Sequence, residues 1–129
     1  MSFAPEIHLI TYVRKYYVDT EIININDNEI KKLSNEIVEN NNIFNYTSIE
    51  FKKKYTKLIE NVFTSYKNIS IIELIKKTCH TWNIYSISIL YLQLICKANK
   101  YYDLDLDIFK NFLKNLFNNI SPNYIVRNN

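Results

Sequence analysis

Three stretches of this 129-residue chain bring side chains capable of chemistry close together. The first is "DLDLDIFKNFLK", where Asp103, Asp105 and Asp107 alternate like the opening of a calcium loop. Such a loop turns on a glycine at its sixth position and closes with a bidentate glutamate at its twelfth. Ile108 and Lys114 stand there instead. The aspartates therefore read as the start of a helix, where carboxylates favour the helix dipole. The second stretch is Cys79-His80, a thiol beside an imidazole. Neighbours on a helix point about 100° apart, so they make a poor nucleophile and base. They read as a buried, reduced thiol next to a core histidine. The third is Lys52-Lys53-Lys54, which fans around a helix and reads as solvated surface rather than a phosphate track. His8 is the only other histidine, and zinc needs three or four clustered ligands. No catalytic residues, metal site or cofactor are expected, and no nucleic-acid partner.

Composition narrows the fold. The chain contains no glycine and only two prolines, Pro5 and Pro122. Tight hairpins need residues at positive φ, which glycine supplies best, so a β-sandwich or barrel is disfavoured. Glycine-dependent phosphate loops and the G-x-S-x-G nucleophile elbow are excluded. The net charge of +3 is mild, and the basic residues are nearly all lysine. Ile, Asn, Lys and Tyr fill about half the chain, the signature of A/T-rich codons. The start lacks the basic and long apolar regions of a secretion signal, so the sequons at Asn45, Asn68 and Asn119 read as accidental. Length and composition give one globular domain over residues 1–129.

The elements that must position any site read as helices. Apolar spacing predicts a first helix from Pro5 to Tyr17, with Ile7, Ile10, Val13 and Tyr17 on its inner face. "VDTEIININD" reads as an extended connector without a partner. Asp27 is expected to cap a second helix carrying Ile30, Leu33 and Ile37, which frays at Asn40-Asn41-Asn42. Thr47 or Ser48 starts a third, with Phe51, Tyr55, Leu58, Ile59, Val62 and Tyr66 inward. Ser70 starts a fourth, with Glu73 at the capping-box position and Ile71 or Ile72, Ile75 and Cys79 as its stripe. A sixth runs from near Asp105 to Ser121-Pro122.

The fifth, "HTWNIYSISILYLQLICKANK", spans His80 to Lys100. It lies in a stretch free of Asp, Glu, Lys and Arg from Thr78 to Cys96. A membrane span needs about 20 mainly apolar residues. Asn83, Ser86, Ser88 and Gln93 argue against one, as do the amphipathic neighbours that need something apolar to cover. The expectation is an all-α bundle around a central hydrophobic helix.

Several stretches carry a family likeness: "HLITYVRKYYVDTEI", "NEIKKLSNEIVEN", "SYKNISIIELIKK", "LYLQLICKANK" and "DIFKNFLKNLF". In order and pattern they resemble the Bcl-2 family of apoptosis regulators, and within it the poxviral branch. The resemblance implies a Bcl-2-like helical bundle and a viral inhibitor of mitochondrial apoptosis. It implies partners as well: the amphipathic BH3 helices of host pro-death proteins such as Bak, Bax and Bim, held helix-in-groove. The implied groove walls are Ile30, Leu33, Ile37, Tyr55, Leu58, Ile59, Ile71, Ile75 and Tyr85. Cellular members start the central helix with Asn-Trp-Gly-Arg, whose arginine meets a BH3 aspartate. Here "TWNI" puts Asn83 and Ile84 in place of the glycine and arginine. The ligand's aspartate is therefore expected to stay in water rather than meet Lys76 or Lys77. Because "SPNYIVRNN" carries no apolar anchor, a longer form on the mitochondrial outer membrane is expected, with this chain soluble in the cytosol. Tyr101 and Tyr102 are candidates for a homodimer interface.

Two other functions fit parts of this pattern. Poxviral proteins of the same fold block NF-κB signalling through adaptors and have closed grooves. A membrane-inserting protein would use the fifth helix itself.

Overall fold

In the computed structural model, which describes residues 2–103, 107 and 110–127, every named element is helical. The α-helices are α1 (Pro5–Tyr16), α2 (Asp27–Glu39), α3 (Ile49–Ser65), α4 (Ile71–Thr78), α5 (Trp82–Tyr102) and α6 (Lys110–Asn119). Short 3-10 turns lie at Asn42–Tyr46, Cys79–Thr81 and Tyr124–Val126. The all-α expectation holds at this level. The expected start of the sixth helix near Asp105 lies outside the described residues.

Local chemistry explains the helix ends. Pro5 occupies the first turn of α1, where its missing N–H costs nothing. Asn26, not Asp27, caps α2: its side chain accepts the Glu29 N–H at 2.8 Å, and Glu29 accepts the Asn26 N–H at 3.2 Å. The capping box sets the boundary one residue earlier than the apolar periodicity does. Ser48 and Ser70 cap α3 and α4, accepting the N–H groups of Phe51 and Glu73. Without glycine, the two left-handed positions among the described residues fall to Asn68 (φ 70°) and Asp103 (φ 48°). These are residue types that tolerate this region.

The connector does find a partner. Ile23 donates to the Ile69 carbonyl at 2.9 Å and accepts from the Asn68 N–H at 2.7 Å. An isolated antiparallel bridge joins Ile22 to Ser70, too short to be a sheet. It ties the entrance of α2 to the entrance of α4 and buries Ile23 and Ile25.

α2 packs along α3, α1 lies against α2 and α4, and α5 rests on α6 and the Asn42–Tyr46 turn. Two expected inner faces shift in phase. α1 buries Glu6, Leu9 and Val13, while Ile7 and Ile10 are only half-buried. α4 buries Ile71, Leu74 and Thr78, which turns Cys79 to the surface. The expected core thiol and core histidine are thus corrected: Cys79 and His80 are exposed, and Cys96 is half-buried. A tight Cys79–Thr81 turn then joins α4 to α5.

The largest correction concerns α5. One face buries Tyr85, Ser88, Ile89 and Leu92. The opposite face leaves Ile87, Leu90, Tyr91 and Leu94 about half exposed. At about 1.5 Å per residue, α5 is roughly 30 Å long, and no element packed on it is long enough to wrap it. No helix among the described residues is long and apolar enough to cross a membrane.

Ser88 gives a direct test of this packing. Its hydroxyl is buried without a hydrogen-bond partner among the described residues. An unsatisfied buried hydroxyl costs about 1–3 kcal/mol. Ser88→Ala is therefore expected to stabilise the protein by about 1 kcal/mol, seen as a melting temperature raised by roughly 3–5 °C.

Candidate functional site

A buried polar knot organises the end of the bundle where α1, α3, α5 and the C-terminal turn meet. Glu6 and Arg127 are both fully buried and pair through both carboxylate oxygens. Arg127 Nη1 donates to Glu6 Oε2 at 2.9 Å and to Thr81 Oγ1 at 3.2 Å. Nη2 donates to Glu6 Oε1 at 2.8 Å and to the Pro122 carbonyl at 3.0 Å. Nε donates to the Ser121 carbonyl at 2.7 Å. The five guanidinium N–H groups are thereby all satisfied. The guanidinium also lies 5.0 Å from the centre of the Tyr85 ring.

Two phenols extend the knot. Tyr55 donates its single hydroxyl hydrogen to the Ile120 carbonyl, so Tyr85 is the donor in the 2.8 Å bond between the two hydroxyls. Burial pushes the Tyr85 phenol up to about 12, against the opposing pull of the Arg127 charge. Burial, and then the Tyr85 hydroxyl, hold Tyr55 well above the ordinary phenol range. Both stay neutral at physiological pH, as a donor chain requires.

The nine expected groove walls do not form one open surface. Ile30, Leu33, Ile37, Tyr55, Ile59, Ile71 and Tyr85 are buried in the core. Leu58 is 42% exposed and Ile75 is half-buried. Leu33 borders a cleft of about 500 Å³ between α1 and α2, together with His8 and Tyr12. Burial lowers the His8 imidazole pKa there. Leu58 instead borders two clefts on the other side of α3, one of which also reaches the buried Tyr55.

Two clefts on that side of α3 share Leu58. A cleft of about 290 Å³ lies between Phe51, Tyr55, Leu58, Phe117, Pro122 and Val126. Another of about 520 Å³ lies between Leu58, Val62, Tyr66, Ile69, Tyr124 and Ile125. Leu58 belongs to both, and the C-terminal turn stands between them. Lys54 and Lys77 are at the rims. Lys77 also pairs with Glu73 at 3.1 Å, whereas Lys76 borders neither cleft. The two clefts thus have mixed walls, apolar around Leu58 and polar at Asn61, Ser65, Asn118, Ser121 and Asn123. Among the described residues no group of His, Cys, Asp or Glu could hold a metal ion.

Sequence reasoning missed Glu6 and Arg127. Glu6 lies three residues before Leu9 and seven before Val13, which places it on the buried stripe once the phase of α1 is set. Nothing local marked Arg127 as its partner, 121 residues away.

A second polar link holds α1 to α2. Tyr12 and Tyr17 donate to opposite oxygens of Glu29 at 2.6 and 2.7 Å. These bonds, the Tyr12 bond first, hold the Glu29 carboxyl pKa below its ordinary value. The same bond pushes the Tyr12 phenol up to about 12. A depressed carboxyl contributes stability above its unfolded pKa and loses it as pH falls through the folded one. Glu29→Gln is therefore expected to melt lower than the parent near neutral pH. The difference should shrink as pH drops below the usual carboxylate range, as thermal melts across pH would show.

Comparison with protein-family models, curated proteins and solved structures returned no match to this chain.

Proposed function

We propose that this chain is a helix-capturing module of the Bcl-2 kind, which sequesters BH3 helices of pro-death proteins and so restrains mitochondrial apoptosis. The observation that carries the reading is the pair of clefts along α3. They meet at Leu58, and Lys54 and Lys77 lie where an amphipathic ligand's acidic side would pass. Helix-in-groove recognition uses apolar anchors at i, i+3 or i+4, and i+7. Each buried anchor gives roughly 1.5–3 kcal/mol. Nanomolar binding needs about −12 kcal/mol, and ordering a free peptide removes several. Four such anchors give about 6–12 kcal/mol, so after the ordering cost only the upper end of that range reaches micromolar to sub-micromolar affinity. In this reading the site of action is the mitochondrial outer membrane.

The position of Lys77 changes one detail. It borders the larger cleft, within reach of a ligand carboxylate that was expected to remain in water. Charge reversal at Lys77 distinguishes the two: lost peptide binding assigns the contact to Lys77, and unchanged binding leaves the ligand's aspartate in solvent.

The burial of seven expected walls favours a second reading, in which the inner groove is closed and the fold engages signalling adaptors upstream of NF-κB. Calorimetric titration with Bim, Bak and Bax BH3 peptides separates the two. Saturable binding below about 10 μM supports capture of BH3 helices, since this needs only about −7 kcal/mol. No heat at tens of micromolar favours the adaptor reading.

A further inference from the structure

The exposed face of α5 is the least explained surface of the molecule. Ile87, Leu90, Tyr91 and Leu94 follow one another at helical spacing and are 48%, 53%, 48% and 54% exposed. Phe112 of α6 meets Tyr91 edge-on, with ring centres 6.3 Å apart, and widens the patch. Beside the stripe a cleft of about 130 Å³ opens between Ser2 of the N-terminal segment and Ser86, Ile87, Ile89, Leu90 and Gln93 of α5. It is of the size that takes one aliphatic side chain.

We propose that this face docks a second copy of the chain, α5 against α5 in antiparallel orientation about a two-fold axis near Leu90 and Tyr91. Charge and symmetry argue for self-association. From Thr78 to Cys96 the helix carries no Asp, Glu, Lys or Arg, so the stripe has nothing charged to match on a foreign surface. A two-fold contact needs only that the patch complement itself. In the antiparallel register Ile87 faces Leu94 of the second copy, which brings that leucine to the small cleft. Lys97 then lies opposite uncharged Ile84 and Asn83. A parallel pairing would instead set Lys97 against Lys97 and Lys100 against Lys100, which like-charge repulsion opposes.

Area sets the strength. Five half-exposed large side chains and a narrow rim give roughly 500–600 Å² per copy, or about 1,000–1,200 Å² in total. This is the low end for a specific interface, so the dimer is weak, with a dissociation constant in the micromolar range. Tyr101 lies one heptad beyond Leu94 and extends the face, whereas the expected pairing centred on Tyr101 and Tyr102 would leave the stripe uncovered.

The proposal is tested by sedimentation of the parent chain and of Leu90→Glu from about 1 to 300 μM. The parent is expected to pass from monomer to dimer. Leu90→Glu, a change at an exposed position, should keep its circular dichroism and weaken dimerisation more than about thirty-fold. Mixing Leu90→Glu with Leu90→Lys should restore a heterodimer, because the two-fold axis brings these positions together. A parent that stays monomeric throughout overturns the proposal. So does a dimer unaffected by Leu90→Glu, which places the interface elsewhere. Partition of a monomeric parent onto phosphatidylcholine–phosphatidylserine vesicles, lost in Leu90→Glu, would assign the face to a lipid surface and also overturn it.

Discussion

Arg127→Met is expected to cost about 3–5 kcal/mol, because it strands the Glu6 carboxylate in a fully buried position. For a chain of this length that is a fall in melting temperature of roughly 10–20 °C. The loss has several parts. The carboxylate loses both charge-assisted bonds, Thr81 loses its donor, and the Ser121 and Pro122 carbonyls lose theirs. Glu6→Leu combined with Arg127→Met removes the stranded charge and replaces the pair by apolar volume. Such replacements are often neutral, so the double variant should recover more than half of the loss. Recovery stays incomplete because the Ser121 and Pro122 carbonyls and the Thr81 oxygen lose the bonds that Arg127 donated, although Thr81 still donates to the Thr78 carbonyl at 2.7 Å. Urea denaturation of the four proteins in the cycle measures the coupling directly. A loss below about 1 kcal/mol for Arg127→Met would mean that the pair sits in water, contrary to its burial.

Leu58→Glu is expected to weaken BH3-peptide binding at least thirty-fold, or about 2 kcal/mol. It should leave the fold within about 0.5 kcal/mol of the parent, because Leu58 is already 42% exposed. The size follows from its place in both clefts along α3. A carboxylate there would lose water on binding and face the ligand's own acidic side. Ile59, the next residue, is fully buried and gives the contrast. Ile59→Ala should cost about 2–5 kcal/mol of stability through the cavity it leaves. Peptide affinity unchanged in Leu58→Glu would remove these clefts from the binding account.

The helices were legible because their caps and periodicity are local. Ser48 and Ser70 announce α3 and α4, and the absence of glycine spoke against a β-rich fold. Phase was harder. Ile7 and Ile10 looked like the inner face of α1 along with Val13, but packing buried Leu9 beside Val13 and drew Glu6 inside with them. A charged residue on a buried stripe reads as an error of phase unless its partner is known, and Arg127 is distant in sequence. The uncharged run in α5 was legible as apolar, yet apolarity alone did not say how many neighbours would cover it. The candidate site was the least legible part. Leu58 was found from the α3 stripe, but the C-terminal turn that makes its clefts carries little periodic signal. Seven of the residues expected to line a groove are buried in the core.

The central claim is that a foreign helix seats on the outer side of α3. Amide hydrogen exchange on the chain, free and saturated with a BH3 peptide, tests it most directly. Protection is expected to rise along α3 around Leu58 and Val62 and near Lys77, and to change in the turn Tyr124–Val126. A peptide that binds while protecting only the α1–α2 cleft or the exposed face of α5, or one that fails to bind at all, would contradict the account.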